Sequence, residues 1–380
     1  MLRSTLFTLA LLATPAAAQE LVPLPAQDPD VAWPTQGWPE GEAVDLATVL
    51  DPVFATEVME DLGETRALVV IKGGQLVHER YRDGTAPDTR HVSWSMAKSL
   101  THALVGRAVQ LGLIDDIDAP MPGAFPNGDP RGEITWRQWL TMTDGLDYGE
   151  YGVEGLDNDV VQMMYGPGRF DVVAYARDTF APKHAPGEVW NYSTAGYHLV
   201  ARALQSLIPG ICEDESADPR TCKADAGVTS DWLERVMFAP MGLDAVEEYD
   251  AAGTLLGGSL VYMSARDYAK FGLLYLRDGV WEGERLLPEG WVDFARTNPE
   301  ATSDNGYGAG FWLSPEASTN PDAVFGPPYD AFHAGGHEGQ TIWIVPSRDM
   351  VIVRVGLMPN TTETWNGLFA LNQSIVAALD

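Results

Sequence analysis

ALVVIKGGQLVHERY, residues 67–81, is the stretch that decides the fold. Two β-rich runs flank Gly73-Gly74, and a glycine pair suits a two-residue hairpin turn because both central positions need positive φ. An antiparallel sheet is therefore expected to start near residue 66. Upstream, Leu46, Val49, Leu50, Val53, Phe54, Val58, Met59 and Leu62 recur at helical spacing, which predicts a helix over 46–63 stopped by Gly63. Residues 19–45, rich in Pro, Trp and acids, read as an extended arm lying over the body. Downstream, a helix is predicted from Ser95 to Leu111 with Gly112 ending it. Residues 113–253 read as loops and helices with no convincing strand pair. Strand character returns over 255–262, followed by helices near 264–277 and 288–296. Four short β-prone runs come next (NGYGAGFWLS, DAFHAGG, QTIWIVP, MVIVRVG), then a final helix over about 362–379. Strands at both ends of the chain thus enclose a helical middle. The expected class is α+β: one antiparallel sheet built from 46–112 and 254–380, flanked by helices, with an all-α domain inserted at 113–253.

Composition narrows the function. The 380 residues carry 54 acidic and 24 basic side chains, a net charge of −30. Such a field repels phosphate backbones and anionic lipid, so neither a nucleic-acid nor a peripheral membrane partner is expected. At the N-terminus, Arg3, the apolar run Leu6 to Ala13 and the small residues Ala16-Ala17-Ala18 read as a secretory signal peptide cleaved after Ala18. The apolar run is too short for a bilayer core of about 30 Å, so no stable membrane anchor is expected and the protein is placed in the periplasm or outside the cell. Cys212 and Cys222 are the only cysteines, too few for a Cys-based zinc site. Export makes them a single disulfide closing the polar loop CEDESADPRTC; two free thiols are the alternative.

The chemistry starts at Ser95-Met96-Ala97-Lys98, which opens the predicted helix. A serine hydroxyl needs a base beside it to act as a nucleophile. Three residues along a helix return Lys98 to the face of Ser95. Burial lowers a lysine pKa and so makes it fit to be that base. About 0.2 such pairs are expected by chance with 5 lysines and 15 serines, so the motif is suggestive and its placement adds weight. A second element, Pro186 to Tyr197, leads a turn into a helix; Tyr192 there could pass a proton to a leaving group, or simply pack. A third runs from Phe332 to Gln340. Its glycines allow close backbone approach to a substrate, and its strand edge could offer an N–H to an oxyanion. His333 or His337 could orient the substrate or tune Lys98, or be structural. No third ligand accompanies them, so no metal is expected. There is no G-x-S-x-G elbow, H-E-x-x-H or Walker A loop, and no cofactor is implied.

These three elements, in this order, resemble the serine β-lactamase and penicillin-binding-protein superfamily. The branch containing class C β-lactamases, family VIII esterases and D-amino-acid peptidases is nearer. The stretches WPTQGWP, LTMTDGLDYGEYG, DVVQMMYGPGR, APGEVWNYSTAGYHLVAR and HAGGHEGQTIWIVPSRDMVIVRVG look most like 6-aminohexanoate-dimer (nylon oligomer) hydrolases. The resemblance implies the β-lactamase-like fold, Ser95 as acylated nucleophile, Lys98 as its base and Tyr192 as proton shuttle. It also implies an oxyanion hole from the N–H groups of Ser95 and of a residue such as Gly336. The third family motif fits His333-Ala334-Gly335, with His337-Glu338-Gly339 as a second register. Two departures matter. Tyr192-Ser193-Thr194 stands where Y-x-N is usual, and a histidine replaces the lysine of the third motif. Both point away from β-lactams and toward a small amide or ester substrate. A family VIII-type carboxylesterase, a D-amino-acid peptidase or a penicillin-binding sensor with little turnover are the other readings. Asp144, Asp147, Glu150, Glu154, Asp157 and Asp159 either favour a substrate with a free amine or form a solvated acidic loop.

Overall fold

The glycine pair does turn the chain. Gly73 and Gly74 have φ of 59° and 76° and join β1 (Glu64–Lys72) to β2 (Gln75–Tyr81) with Lys72 opposite Gln75. The computed structural model describes residues 21–123, 125–126, 128–150, 152–153, 155–214, 216–299, 306–313 and 330–379. The signal-peptide reading of residues 1–18 lies outside them.

The remaining strands are β3 (Arg90–Val92), β4 (Val246–Glu247), β5 (Val261–Ser264), β6 (Val280–Trp281), β7 (Glu284–Arg285), β8 (Trp312–Leu313), β9 (Phe332–Gly336), β10 (Gln340–Val345) and β11 (Met350–Leu357). The helices are α1 (Ala47–Leu50), α2 (Met96–Gln110), α3 (Trp136–Leu140), α4 (Asp159–Met164), α5 (Val172–Thr179), α6 (Thr194–Gln205), α7 (Ala226–Leu233), α8 (Ala239–Met241), α9 (Ala265–Leu276), α10 (Trp291–Ala295) and α11 (Thr362–Ala378). The main sheet has the order β2-β1-β11-β10-β9-β8. β11, near the chain's end, pairs with β1, near its start, with Val69 opposite Val353. The sheet is therefore built from both ends, as the strand distribution predicts, and the fold is α+β.

Side-chain alternation divides this sheet into two buried faces. Val69, Ile71, Ile342, Ile344, Val351 and Val353 belong to the cluster that contains α2 and α9. Leu68, Val70, Trp343, Val345 and Ile352 belong to a second cluster with α1 and α11. Gly272 lets α9 lie flat on the sheet: a Cβ there would come within 2.6 Å of Val351. The first cluster also takes in α3, α5, α6 and α7, so one continuous core runs under both the sheet and the helical middle.

Three sequence expectations change. The helix predicted over 46–63 is reduced to α1, because Pro52 cannot donate to the preceding turn and the chain continues in turns. The helical middle contains β4, which joins β3 and β5 in a three-stranded sheet of order β3-β5-β4. A two-residue strand is too short to show a period of two. The 255–262 run is likewise shifted: β5 begins at Val261, Leu255 forms an isolated bridge with Tyr249, and 257–259 forms a turn beside α2.

Residues 21–44 form the arm. Trp33 packs on Trp281 with ring centroids 5.0 Å apart, and Gly41 N and Val44 N donate to Leu76 O and Val77 O of β2 at 2.9 and 3.2 Å. The arm thereby covers an otherwise open sheet edge. Cys212 and Cys222 are joined as a disulfide. No helix among the described residues is long and apolar enough to cross a membrane.

Candidate active site

Ser95 occupies the N-cap of α2 with φ −66°. The turn that delivers it is clamped to β5: Ser93 N donates to Val261 O at 2.8 Å and Val261 N donates to Ser93 Oγ at 3.0 Å. Between them Trp94 has φ +44°, a conformation that L side chains adopt only when their surroundings enforce it. Its indole Nε1–H donates to Glu338 Oε2 at 3.2 Å, and its ring meets the edge of His337 at 5.5 Å.

One turn on, Lys98 is 1% exposed. Its Nζ lies 2.9 Å from Ser95 Oγ, 2.8 Å from Thr194 Oγ1 and 2.7 Å from Gly258 O. Burial lowers its pKa to about 8, against the opposing pull of Glu150. Nζ also sits 4.9 Å from the ring centroid of Tyr192. Tyr192 is buried just ahead of α6 and lies among aromatic rings. It stacks on Trp312 at 5.5 Å and meets Tyr307 at 6.0 Å and Trp190 at 6.4 Å.

Thr194 is the first residue of α6, which Ser193 caps by accepting from Gly196 N at 2.9 Å. Thr194 Oγ1 donates to Glu150 Oε1 at 3.0 Å, and Thr194 N donates to Glu150 Oε2 at 3.1 Å. Behind the 257–258 turn, His198 Nδ1 accepts from Gly258 N at 3.4 Å and its Nε2 lies 3.3 Å from Ser259 Oγ. Burial and the charge of Lys98 depress the His198 pKa to about 3, so the ring is a neutral brace.

The third sequence element arrives as the end of β9. A Cβ on Gly336 would lie 2.2 Å from Ser93 O, so this backbone reaches the nucleophile turn as closely as only glycine permits. Gly335 faces Trp312, whose Cδ1 would stand 3.0 Å from an added Cβ. His333 is placed otherwise than as a partner of substrate or Lys98. Its imidazole lies parallel to Trp343 at 4.4 Å and near Phe369 of α11 at 6.0 Å, on the other face of the sheet. Burial pushes its pKa down to about 3. Strand alternation explains the correction, since Gly336 and His333 are three residues apart and fall on opposite faces. His337 is exposed and touches Trp94. Neither imidazole is among the polar partners of Lys98.

The acids of 144–159 do not form one patch. Asp144 is buried, which raises its pKa to about 6, and its Oδ1 accepts from Leu146 N at 2.9 Å. Asp147 pairs with Lys183 at 2.6 Å. Asp159 accepts from Gly149 N at 2.7 Å, and Asp157 is exposed. Glu154 lies outside the described residues. Glu150 is turned inward on Thr194 and Tyr148. Sequence reasoning did not assign Thr194, the Gly258 carbonyl or Trp94. The only available signals were the position of Thr194 in the Y-x-N slot and the Gly257-Gly258 pair.

Comparison with known proteins identifies the family and the fold. The beta-lactamase family profile matches residues 57–208 and 213–363. A 6-aminohexanoate-dimer hydrolase of Paenarthrobacter ureafaciens is 27% identical over 354 residues, covering 85% of this chain and 83% of the relative. A Bacillus anthracis structure assigned as a 6-aminohexanoate-dimer hydrolase superposes with a TM-score of 0.67 at 20% identity, covering 93% of this chain and 89% of that one. A penicillin-binding-protein homologue from Caulobacter crescentus gives 0.62 at 15%, covering 89% and 99%. These two likenesses speak for the fold. With a buried lysine hydrogen-bonded to a serine at a helix N-terminus and a family profile across most of its length, the chain belongs to the beta-lactamase family and is a serine hydrolase.

Proposed function

We propose that this protein hydrolyses small amides or esters through an acyl-enzyme on Ser95, in the manner suggested by the name of its 6-aminohexanoate-dimer hydrolase relative. The observation that carries the proposal is the 2.9 Å contact between Ser95 Oγ and a lysine whose burial lowers its pKa to about 8. In the first step Ser95 Oγ bonds to the carbonyl carbon while its proton passes to Lys98. The carbonyl oxygen gains the electron pair and is held by backbone N–H groups of Ser95 and the Gly336 end of β9. Collapse expels the amine or alkoxide, which takes a proton through Tyr192, beside Lys98. Water then attacks the ester on Ser95 and the same groups run in reverse. The lack of any cationic side chain in the FHAGG strand favours substrates whose binding does not depend on a carboxylate at that position.

We place the protein outside the cytoplasm. The leader pattern of residues 1–18 and the Cys212–Cys222 disulfide support this. A substrate panel tests the chemistry: p-nitrophenyl esters, 6-aminohexanoate dimer, D-amino-acid amides and nitrocefin, each with wild type and Ser95→Ala. Turnover of an ester or amide that vanishes in Ser95→Ala is expected. Undiminished turnover by Ser95→Ala would overturn the proposal, and a stable adduct without turnover would select the penicillin-binding reading. N-terminal sequencing of exported protein should begin at Gln19.

A further inference from the structure

Hydrogen-bond accounting around Lys98 leads to a carboxylate that the family resemblance did not single out. Gly258 O can only accept, so one Lys98 N–H is committed to it at 2.7 Å. Thr194 has a single hydroxyl proton, and Glu150 Oε1 takes it at 3.0 Å. Thr194 Oγ1 must then accept from Lys98 at 2.8 Å, which commits a second N–H. A neutral lysine has two N–H bonds and one lone pair. The one direction left faces Ser95 Oγ at 2.9 Å. Glu150 is itself fixed, because Oε2 accepts from Thr194 N at 3.1 Å and from the Tyr148 hydroxyl at 3.0 Å.

We propose that Glu150 is a positioning residue of this site: by holding the Thr194 hydroxyl proton, it aims the Lys98 lone pair at Ser95. The inference rests on the serine-hydrolase chemistry proposed above and specifies the device that orients its base. The remaining polar neighbours do not compete for the role. His198 on α6 is neutral and bonded to the 258–259 backbone and hydroxyl region. Tyr192 meets Nζ with its ring. Tyr148 donates to Glu150, and Asp159 is engaged by Gly149 N. Among the described residues, Glu150 is the charged group whose attraction supports the protonated form of Lys98.

Glu150→Gln tests this with almost no change of shape. The fixed Thr194 N–H requires an oxygen opposite it, so the new amide nitrogen falls at the position of Oε1 and donates to Thr194 Oγ1. The Thr194 proton is released and can take the Lys98 lone pair away from Ser95. The expected result is a kcat lower by about tenfold or more with KM nearly unchanged. The acid limb of the pH profile should move to lower pH, because an attraction that keeps Lys98 protonated is gone. In a Thr194→Val background, which lacks the hydroxyl, Glu150→Gln should cost no further kcat. Wild-type kcat and an unmoved acid limb in Glu150→Gln, or an equal loss in the Thr194→Val background, would overturn the inference. A Ser95→Ala control keeps the two questions apart: its full activity would sink the nucleophile reading itself, whereas an inactive control beside an unaffected Glu150→Gln sinks only the role of Glu150.

Discussion

Trp94 and Glu338, residues from opposite ends of the chain, both hold positive φ, +44° and +60°, and are tied to each other by the indole N–H and a carboxylate oxygen 3.2 Å apart. Non-glycine residues in this region cost of order 1 to 3 kcal/mol each. The bond links the turn carrying the nucleophile to the turn that follows β9, so two strained segments fix one another on either side of the reacting carbonyl's place. Trp94→Phe keeps the ring and loses the bond. It should lower kcat several-fold with little change in KM, read by steady-state kinetics on a p-nitrophenyl ester; unchanged kcat would show that packing alone holds the turn.

Gly336→Ala should be far more damaging than Gly335→Ala. The new methyl at 336 would stand 2.2 Å from the backbone oxygen of Ser93, which cannot move without moving Ser95. At 335 it meets a Trp312 side chain at 3.0 Å, which can yield. A loss of about 100-fold or more in kcat/KM is expected for Gly336→Ala, the scale associated with a displaced oxyanion donor.

Lys98 predicts two pH effects that run in the same direction. Its pKa of about 8 should set the acid limb of kcat/KM near pH 8, with activity rising as the lysine gives up its proton. For stability, the unfolded lysine keeps an ordinary pKa near 10.5, so between pH 8 and 10.5 the unfolded chain binds more protons. This residue's contribution to stability therefore improves as pH rises through that window, by about 3 kcal/mol in all. Lys98→Met should be inactive and should lack that upward slope when melting temperatures are compared at pH 7, 8, 9 and 10.

His333 should be dispensable for chemistry. His333→Phe preserves the stack on Trp343 and should leave the pH profile of kcat unchanged, with activity within a few-fold of wild type. The folded ring stays neutral down to about pH 3, whereas the unfolded one titrates near 6.5. The wild type should therefore lose stability from this residue as pH falls from 6.5 toward 3, and His333→Phe should lose less. A profile that changes shape in the variant would restore the imidazole to the site.

Breaking the disulfide should affect stability and spare catalysis. Closing the loop between Cys212 and Cys222 restricts the unfolded chain by about 2.7 kcal/mol on a loop-entropy basis. Cys212→Ser with Cys222→Ser should melt several degrees lower at unchanged kcat, measured by thermal denaturation and ester hydrolysis.

The sequence was most readable where a short pattern has a single physical solution. Gly73-Gly74 between β-rich runs could hardly be other than a hairpin, and Ser95 and Lys98 meet because a helix has the pitch it has. Pro52 lies inside the predicted 46–63 helix, where the regular spacing of the apolar residues masks the break it causes. β4 is a tertiary pairing with no local signature. His333 illustrates the general difficulty: the motif locates the strand, but the face on which a side chain emerges depends on register, and here register hands the site a glycine backbone instead of an imidazole. In the sequence Glu150 is one acid among several, and only three-dimensional proximity to Thr194 separates it from Asp147 or Asp157.

The apolar cluster that runs without interruption from the sheet's α2 face into α3, α5, α6 and α7 has a mechanical consequence. Two layers that grow from one shared interior have no bending line between them, because parting them would tear a close-packed seam. Thermal unfolding of the sheet and the helical middle should then register as a single cooperative transition in calorimetry.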